Sequence, residues 1–180
     1  YTVVRTFNAT DDAGNSTSAT QTITVEDTTA PELTVPADYT AECTDDLILD
    51  DATATDNCSD VTIEMTEETL PGSCVNGYVL VRTFTATDAC GNVATASQTI
   101  TVEDTTGPEL FLPPSYEADC GDELVLLDAL ASDACGLAIV TVEESYDYTC
   151  DNGYVLTRTF TAVDACFNET VGVQTITVTD

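Results

Sequence analysis

Four short stretches of the chain place an aspartate two residues before a cysteine: Asp56-Asn57-Cys58, Asp88-Ala89-Cys90, Asp133-Ala134-Cys135 and Asp164-Ala165-Cys166. A carboxylate donates anionic oxygen and a thiol can crosslink. This pairing of types suggests two jobs, gathering a hard cation and stapling loops. Further acids, Glu26-Asp27 and Glu103-Asp104, stand just before two Thr-Thr-x-Pro segments. Carboxylates crowded together cannot all stay ionised without a compensating cation. Oxygen donors without imidazole suit Ca2+, which accepts about six to eight ligands in irregular geometry. The expected metal ligands are Asp27, Asp56, Asp88 and Asn92, with Glu26 alongside. A second set repeats them as Asp104, Asp133, Asp164 and Asn168, with Glu103 alongside. The plain alternative is that each aspartate caps its own turn.

Composition narrows the function classes. The formal net charge is −30, from 33 acidic residues against three arginines, with no histidine. Such a chain repels nucleic acid and anionic membranes and attracts cations. Serine–histidine chemistry is ruled out. Paired carboxylates could serve glycoside hydrolysis, but here they recur with a repeat, so the reading is not an enzyme. No apolar run is long enough to span a bilayer, so no direct membrane insertion is expected.

The acids and cysteines keep register because the chain repeats. Residues 1–27, 78–104 and 154–180 align from Tyr1, Tyr78 and Tyr154 to Asp27, Asp104 and Asp180. A period near 77 residues implies an array of small modules. The expected domains are 1–27, the C-terminal hairpin of a partial repeat, then 28–104 and 105–180, two full repeats. Polar and apolar residues alternate along Tyr78–Asp88 and Ala94–Val102, with many Thr and Val, which reads as half-buried strands joined by a hairpin turn. Pro31–Pro36, Tyr39–Cys43, Leu47–Asp56 and Val61–Thr66 read as further strands. The fold class is all-β, with tandem immunoglobulin-like β-sandwich repeats.

Modules this small need reinforcement. Eight cysteines at repeated spacing, without a C-x-x-C pair, indicate disulfides and an oxidising compartment. If the strands follow immunoglobulin-like order, Cys58–Cys90 and Cys135–Cys166 close one pole of each module. Cys43–Cys74 and Cys120–Cys150 then close the other. All three basic residues, Arg5, Arg82 and Arg158, share one repeat position. Strand parity turns them inward, opposite Gln21, Gln98 and Gln174. A buried guanidinium needs a carboxylate, and Asp51 and Asp128 are the candidates.

The stretches ATATDNC (52–58), FTATDACGN (84–92), ITVED (100–104) and TGPEL (106–110) resemble the hyalin-repeat (HYR) family of extracellular immunoglobulin-like modules. Phe167 departs from it by standing where the turn glycine is expected. The resemblance implies a β-sandwich at the cell surface or secreted and a role in adhesion, and it does not imply an activity. The leading expectation is an extracellular stalk, filament or adhesin array of disulfide-braced modules with calcium-stiffened junctions. Its partners would be neighbouring repeats of the same chain, other copies in a filament, or glycan or protein ligands. The alternative is a carbohydrate- or protein-binding surface module, for which Tyr146 and Tyr148 are the candidate contacts.

Overall fold

The computed structural model describes residues 1–148 and 153–180. The described residues form strands and no helix. The first copy is a hairpin of β1 (Thr2–Thr10) and β2 (Ser16–Thr24). The next repeat contains β3 (Glu32–Thr34), β4 (Tyr39–Glu42), β5 (Thr53–Thr55), β6 (Val61–Pro71), β7 (Tyr78–Asp88) and β8 (Val93–Glu103). The last contains β9 (Glu109–Phe111), β10 (Tyr116–Asp119), β11 (Leu130–Ser132), β12 (Ile139–Tyr148), β13 (Tyr154–Val163) and β14 (Glu169–Thr179). Each full repeat has a two-stranded sheet, β3-β5 or β9-β11, and a four-stranded sheet ordered β4-β8-β7-β6 or β10-β14-β13-β12. The fold is all-β sandwich. Within the larger sheets β4 runs parallel to β8, and β10 to β14.

By density of contacts the chain falls into two compact units. One joins Tyr1–Pro36, Asp51–Thr66 and Thr83–Ser97; the other joins Ala37–Asp50, Glu67–Arg82 and Gln98–Asp180. Every cluster described below lies within one of them.

Alternation along the long strands explains the core. In the second unit Leu80, Ile100 and Val102 are buried, with Tyr39, Leu47 and Tyr78 packed against them. Leu156, Ile176 and Val178 repeat this with Tyr116, Leu124 and Tyr154. The expected strand over Leu47–Asp56 is only Thr53–Thr55. A side chain replaces its missing ladder: the Tyr39 hydroxyl accepts from Ile48 N at 2.9 Å and donates to Ile48 O at 3.1 Å. Tyr116 holds Val125 in the same way, at 3.0 and 3.2 Å. A backbone satisfied by a phenol needs no strand partner.

The inward arginines behave as the parity implies in the two full repeats. Arg82 and Arg158 are 2% and 3% exposed. Each donates to the facing glutamine, Gln98 at 3.0 Å and Gln174 at 3.2 Å, and to a carbonyl, Asp50 O at 2.8 Å and Leu127 O at 2.6 Å. The close carboxylates are Glu67, 3.3 Å from Arg82, and Glu144, 2.9 Å from Arg158. Asp128 stands at 3.9 Å with its side chain 90% exposed, a secondary contact. Removing a buried guanidinium strands its acceptors. Arg158→Ala is expected to cost about 3 kcal/mol or more, read as a lower denaturant midpoint at unchanged slope. A change within error would show that the cluster carries no stability.

The cysteine pairings differ from expectation. The structure bonds Cys43 to Cys135 and Cys74 to Cys166, with Cα atoms 5.9 and 5.1 Å apart. These replace the expected Cys43–Cys74 and Cys135–Cys166 bonds. Cys58, Cys90 and Cys120 are free and exposed, so Cys58–Cys90 is not formed. Cys120–Cys150 falls partly outside the described residues. The reason lies at the end of β8. Cys43 N donates to Glu103 O at 2.9 Å, and Gly77 beside Cys74 abuts Val102 O. Asn76 donates through its amide to Cys135 O. Both cysteines of one repeat thus lie where the chain passes into the next, and the turn cysteines of that next repeat are their nearest partners.

Candidate metal centre

Two turn devices build each acidic cluster. In the first unit, Asp88 Oδ1 accepts from the backbone N–H groups of Cys90 and Asn92, both at 2.8 Å. Its Oδ2 accepts from the Asn92 amide at 2.8 Å. The same amide nitrogen reaches Asp27 O at 3.2 Å. Asp56 Oδ1 accepts from Cys58 N at 2.9 Å and Ser59 N at 3.1 Å, and Asp27 Oδ1 from Thr29 N at 3.1 Å. Asp27 and Asp56 therefore spend one oxygen on their own turns, and Asp88 engages both.

The remaining oxygens face inward. One oxygen each from Asp27, Asp56 and Asp88 lie within 4.8 Å of one another. Asp27 Oδ2 and Asp56 Oδ2 are buried without a hydrogen-bond partner. Orphaned buried anions are rare because the lost hydration is costly. A cation would supply the missing counter-charge, and the all-oxygen donor set fits a hard metal ion. In Asp27 and Asp56 the turn-capping alternative and the metal reading use different oxygens of the same side chain.

The second unit repeats the device with a looser cluster. Asp164 Oδ1 accepts from Cys166 N at 2.7 Å and Asn168 N at 2.9 Å, and its Oδ2 from the Asn168 amide at 2.9 Å. Asn168 also donates to Asp104 O at 3.0 Å. Asp133 Oδ1 holds Cys135 N at 2.8 Å. Asp104 lies in two overlapping groups, one with Asp133 and Cys135 and one with Asp164 and Cys166. Those sulfurs are in disulfides and are not thiolate ligands. Glu42 also grips the linker: it accepts from Thr105 N at 3.1 Å and from the Thr105 hydroxyl. No local pattern in the chain announces that latch.

Protonation follows from these partners. The Asn92 amide, against some desolvation, holds Asp88 below the usual carboxylate range. Burial pushes Asp164 up, but the Asn168 amide and three backbone N–H groups outweigh it and the net shift is downward. Asp104 moves up, chiefly by burial, with Asp133, Asp164 and Glu42 adding repulsion. Asp11 in the β1–β2 turn is lowered by Asn15, the same aspartate–asparagine pair in the first copy.

The turn that presents Asp164 carries a strained residue. Phe167 has φ of 70°, where Gly14 and Gly91 stand at 86° and 88° in the equivalent turns. Its side chain is 84% exposed. Phe167→Gly relieves the left-handed strain and loses little packing. It is expected to raise stability by about 1 kcal/mol, seen as a melting temperature a few degrees higher. A lower melting temperature would show that the phenyl ring contributes to the fold.

No family model matches the chain. It is 38% identical over 115 residues to hyalin of Lytechinus variegatus, covering 58% of this chain and 22% of that protein. It is 29% identical over 191 residues to hyalin of Strongylocentrotus purpuratus, covering 96% of this chain and 16% of that protein. The chain thus spans less than a quarter of these curated relatives. The repeats are hyalin-like in sequence. Among solved structures, Drosophila N-cadherin EC1-4 aligns with 93% of this chain and 54% of its own, at 16% identity and TM-score 0.35. Mouse protocadherin-24 EC1-3 aligns with 98% and 79%, at 13% identity and TM-score 0.35.

Proposed function

We propose that the chain is a segment of an extracellular adhesion-type array, a stalk or filament in which repeats are tied end to end. The modules are 28–104 and 105–180, with 1–27 the closing hairpin of another. The observation that carries this reading is the pair of disulfides joining residues of one repeat to residues of the next. Bonds between consecutive repeats suit an element that transmits load along the chain. Hyalin-like sequence and an acidic, histidine-free composition agree with it.

Calcium is the second tie. Asp27, Asp56 and Asp88 would hold one ion, with Asn92 orienting Asp88 and anchoring the linker. Asp104, Asp133 and Asp164 would hold another, with Asn168 in the same role. Within each set the first acid comes from the linker and the other two from turns of the following repeat, so the ion would fix the linker to that repeat. Small-angle scattering tests the reading in four states: oxidised or reduced, with calcium or chelator. Maximum dimension and flexibility are expected to change on chelation, on reduction, and most on both. Identical curves in all four states would defeat it.

A glycan- or protein-binding role has one observation in its favour. Tyr146 and Tyr148 are 49% and 76% exposed, and their rings lie 5.7 and 6.0 Å from that of Tyr154. Exposed aromatic clusters can stack on apolar faces of ligands. Glycan-array binding lost in Tyr146→Ala/Tyr148→Ala would support that role, and an array with no signal would remove it.

A further inference from the structure

Cys58 and Cys90 are built like cysteines already in disulfides, yet they are free. Cys58 lies one repeat before Cys135, and Cys90 one repeat before Cys166. Their turn hydrogen bonds correspond pair by pair. Cys58 N donates to Asp56 Oδ1 at 2.9 Å, as Cys135 N does to Asp133 at 2.8 Å. Cys90 N donates to Asp88 Oδ1 at 2.8 Å, as Cys166 N does to Asp164 at 2.7 Å. Asn92 holds the linker carbonyl of Asp27 as Asn168 holds that of Asp104. Both free cysteines are exposed. The two bonds that do form each span 92 residues and run from a Cys43- or Cys74-type position to a turn position one repeat later.

We propose that Cys58 and Cys90 are a receiving pair, taking disulfides from the Cys43-type and Cys74-type cysteines of a repeat of this same kind joined ahead of Tyr1. The free state of Cys120 is the mirror case. It stands one repeat after Cys43, and its N–H donates to Thr179 O at 2.7 Å as that of Cys43 does to Glu103 O. It is the offering cysteine for a repeat that follows. The crosslinking surface therefore recurs at each turn of the array, and its ligand is another module.

The chemistry needs an oxidant, and a low-molecular-weight disulfide such as oxidised glutathione supplies it. The Cys58 thiolate attacks one glutathione sulfur, forming a mixed disulfide and releasing one glutathione thiolate. The incoming cysteine thiolate then attacks the Cys58 sulfur and releases the second glutathione. Each protein bond formed removes two protons and two electrons from two thiols and leaves two reduced glutathione molecules.

The test is a chain extended by placing a copy of residues 28–77, with its Cys58 copy changed to Ser, ahead of Tyr1, which completes the first repeat. The added Cys43 copy then lies 92 residues before Cys58, the same span as the existing bonds. The protein is oxidised in a glutathione buffer, alkylated with N-ethylmaleimide and digested. Cys58 is expected to appear linked to the Cys43 copy and Cys90 to the Cys74 copy. Alkylation of both is expected to fall from near complete in the 180-residue chain to near zero. A Cys58–Cys90 crosslink, or alkylated Cys58 and Cys90 beside intact Cys43–Cys135 and Cys74–Cys166 peptides, overturns the proposal. A second arm changes the Cys74 copy to Ser. Cys90 alone is then expected to regain reactivity, and persistence of a Cys90 crosslink counts against the assignment. Oxidation in chelator gives the same map, which separates this inference from the calcium reading.

Discussion

Cys43→Ser/Cys135→Ser is expected to lower stability by about 4 kcal/mol, and the melting temperature by roughly 10 °C. The bond closes a span of 92 residues in the unfolded chain. The second bond adds a separate constraint despite overlapping it. Once Cys43 and Cys135 are joined, the path from Cys74 to Cys166 runs back 31 residues (74 − 43) and on 31 more (166 − 135). A ring of about 62 residues still loses about 4 kcal/mol of unfolded-state entropy when closed. Each bridge therefore matters alone, and removing both is expected to cost nearly the sum. Cys58→Ser/Cys90→Ser in the same 180-residue chain is the control, with an expected change under about 0.5 kcal/mol for exposed, unbridged positions. Thermal melts of the three variants decide. Equal melting temperatures for the Cys43/Cys135 variant and the unaltered chain would show that the bridge restrains nothing in the unfolded state.

Chelation is expected to produce the second large effect. An ion that binds only the folded chain stabilises it by about 2.7 kcal/mol when present at about a hundredfold its dissociation constant. It would leave behind two buried oxygens without a hydrogen-bond partner, Asp27 Oδ2 and Asp56 Oδ2. Removing calcium should therefore lower the melting temperature by roughly 5–10 °C per site, and Asp56→Asn should abolish the response of the first site alone.

The sign of the pH dependence would report whether a cation is bound. Without calcium, Asp104 has a raised folded pKa. Its contribution is present below the unfolded value and lost as pH rises through the folded one. With calcium the ionised form is the ligand, so stability should increase over the same interval. Asp88 and Asp164 are lowered, so their contribution holds above the ordinary carboxylate value and fades below it in either state. Melting curves that fall with pH in chelator and rise with pH in calcium would establish the linkage. Parallel curves would refute it.

How much of this the chain announces depends on which physical rule was in play. Period-two alternation located β7 and β8 because buried Leu80, Phe84 and Ala86 alternate with threonines and valines on the other face. It misread Leu47–Asp56, because a tyrosine hydroxyl from nine residues away does the work of a strand neighbour. Parity set the inward face of Arg82 and Arg158, but not their carboxylates. Glu67 and Glu144 reach them from the adjacent strands β6 and β12, whose register no local pattern specifies. Immunoglobulin-like strand order pairs the cysteines within one module, whereas the bonds that form join positions 92 residues apart. The acids are legible as turn residues, since Asp-x-Cys recurs. That Asp27 and Asp56 cap with one oxygen and leave the other buried is a matter of three-dimensional geometry alone.

The parallel pairing of β4 with β8 has a mechanical consequence. β4 lies near the start of its repeat and β8 at the end, and they run side by side from Tyr39↔Ile100 to Glu42↔Glu103. Traction on the two ends slides these strands lengthwise, so their hydrogen bonds must rupture together, not peel one at a time. The repeat thus resists a pull in its hardest direction.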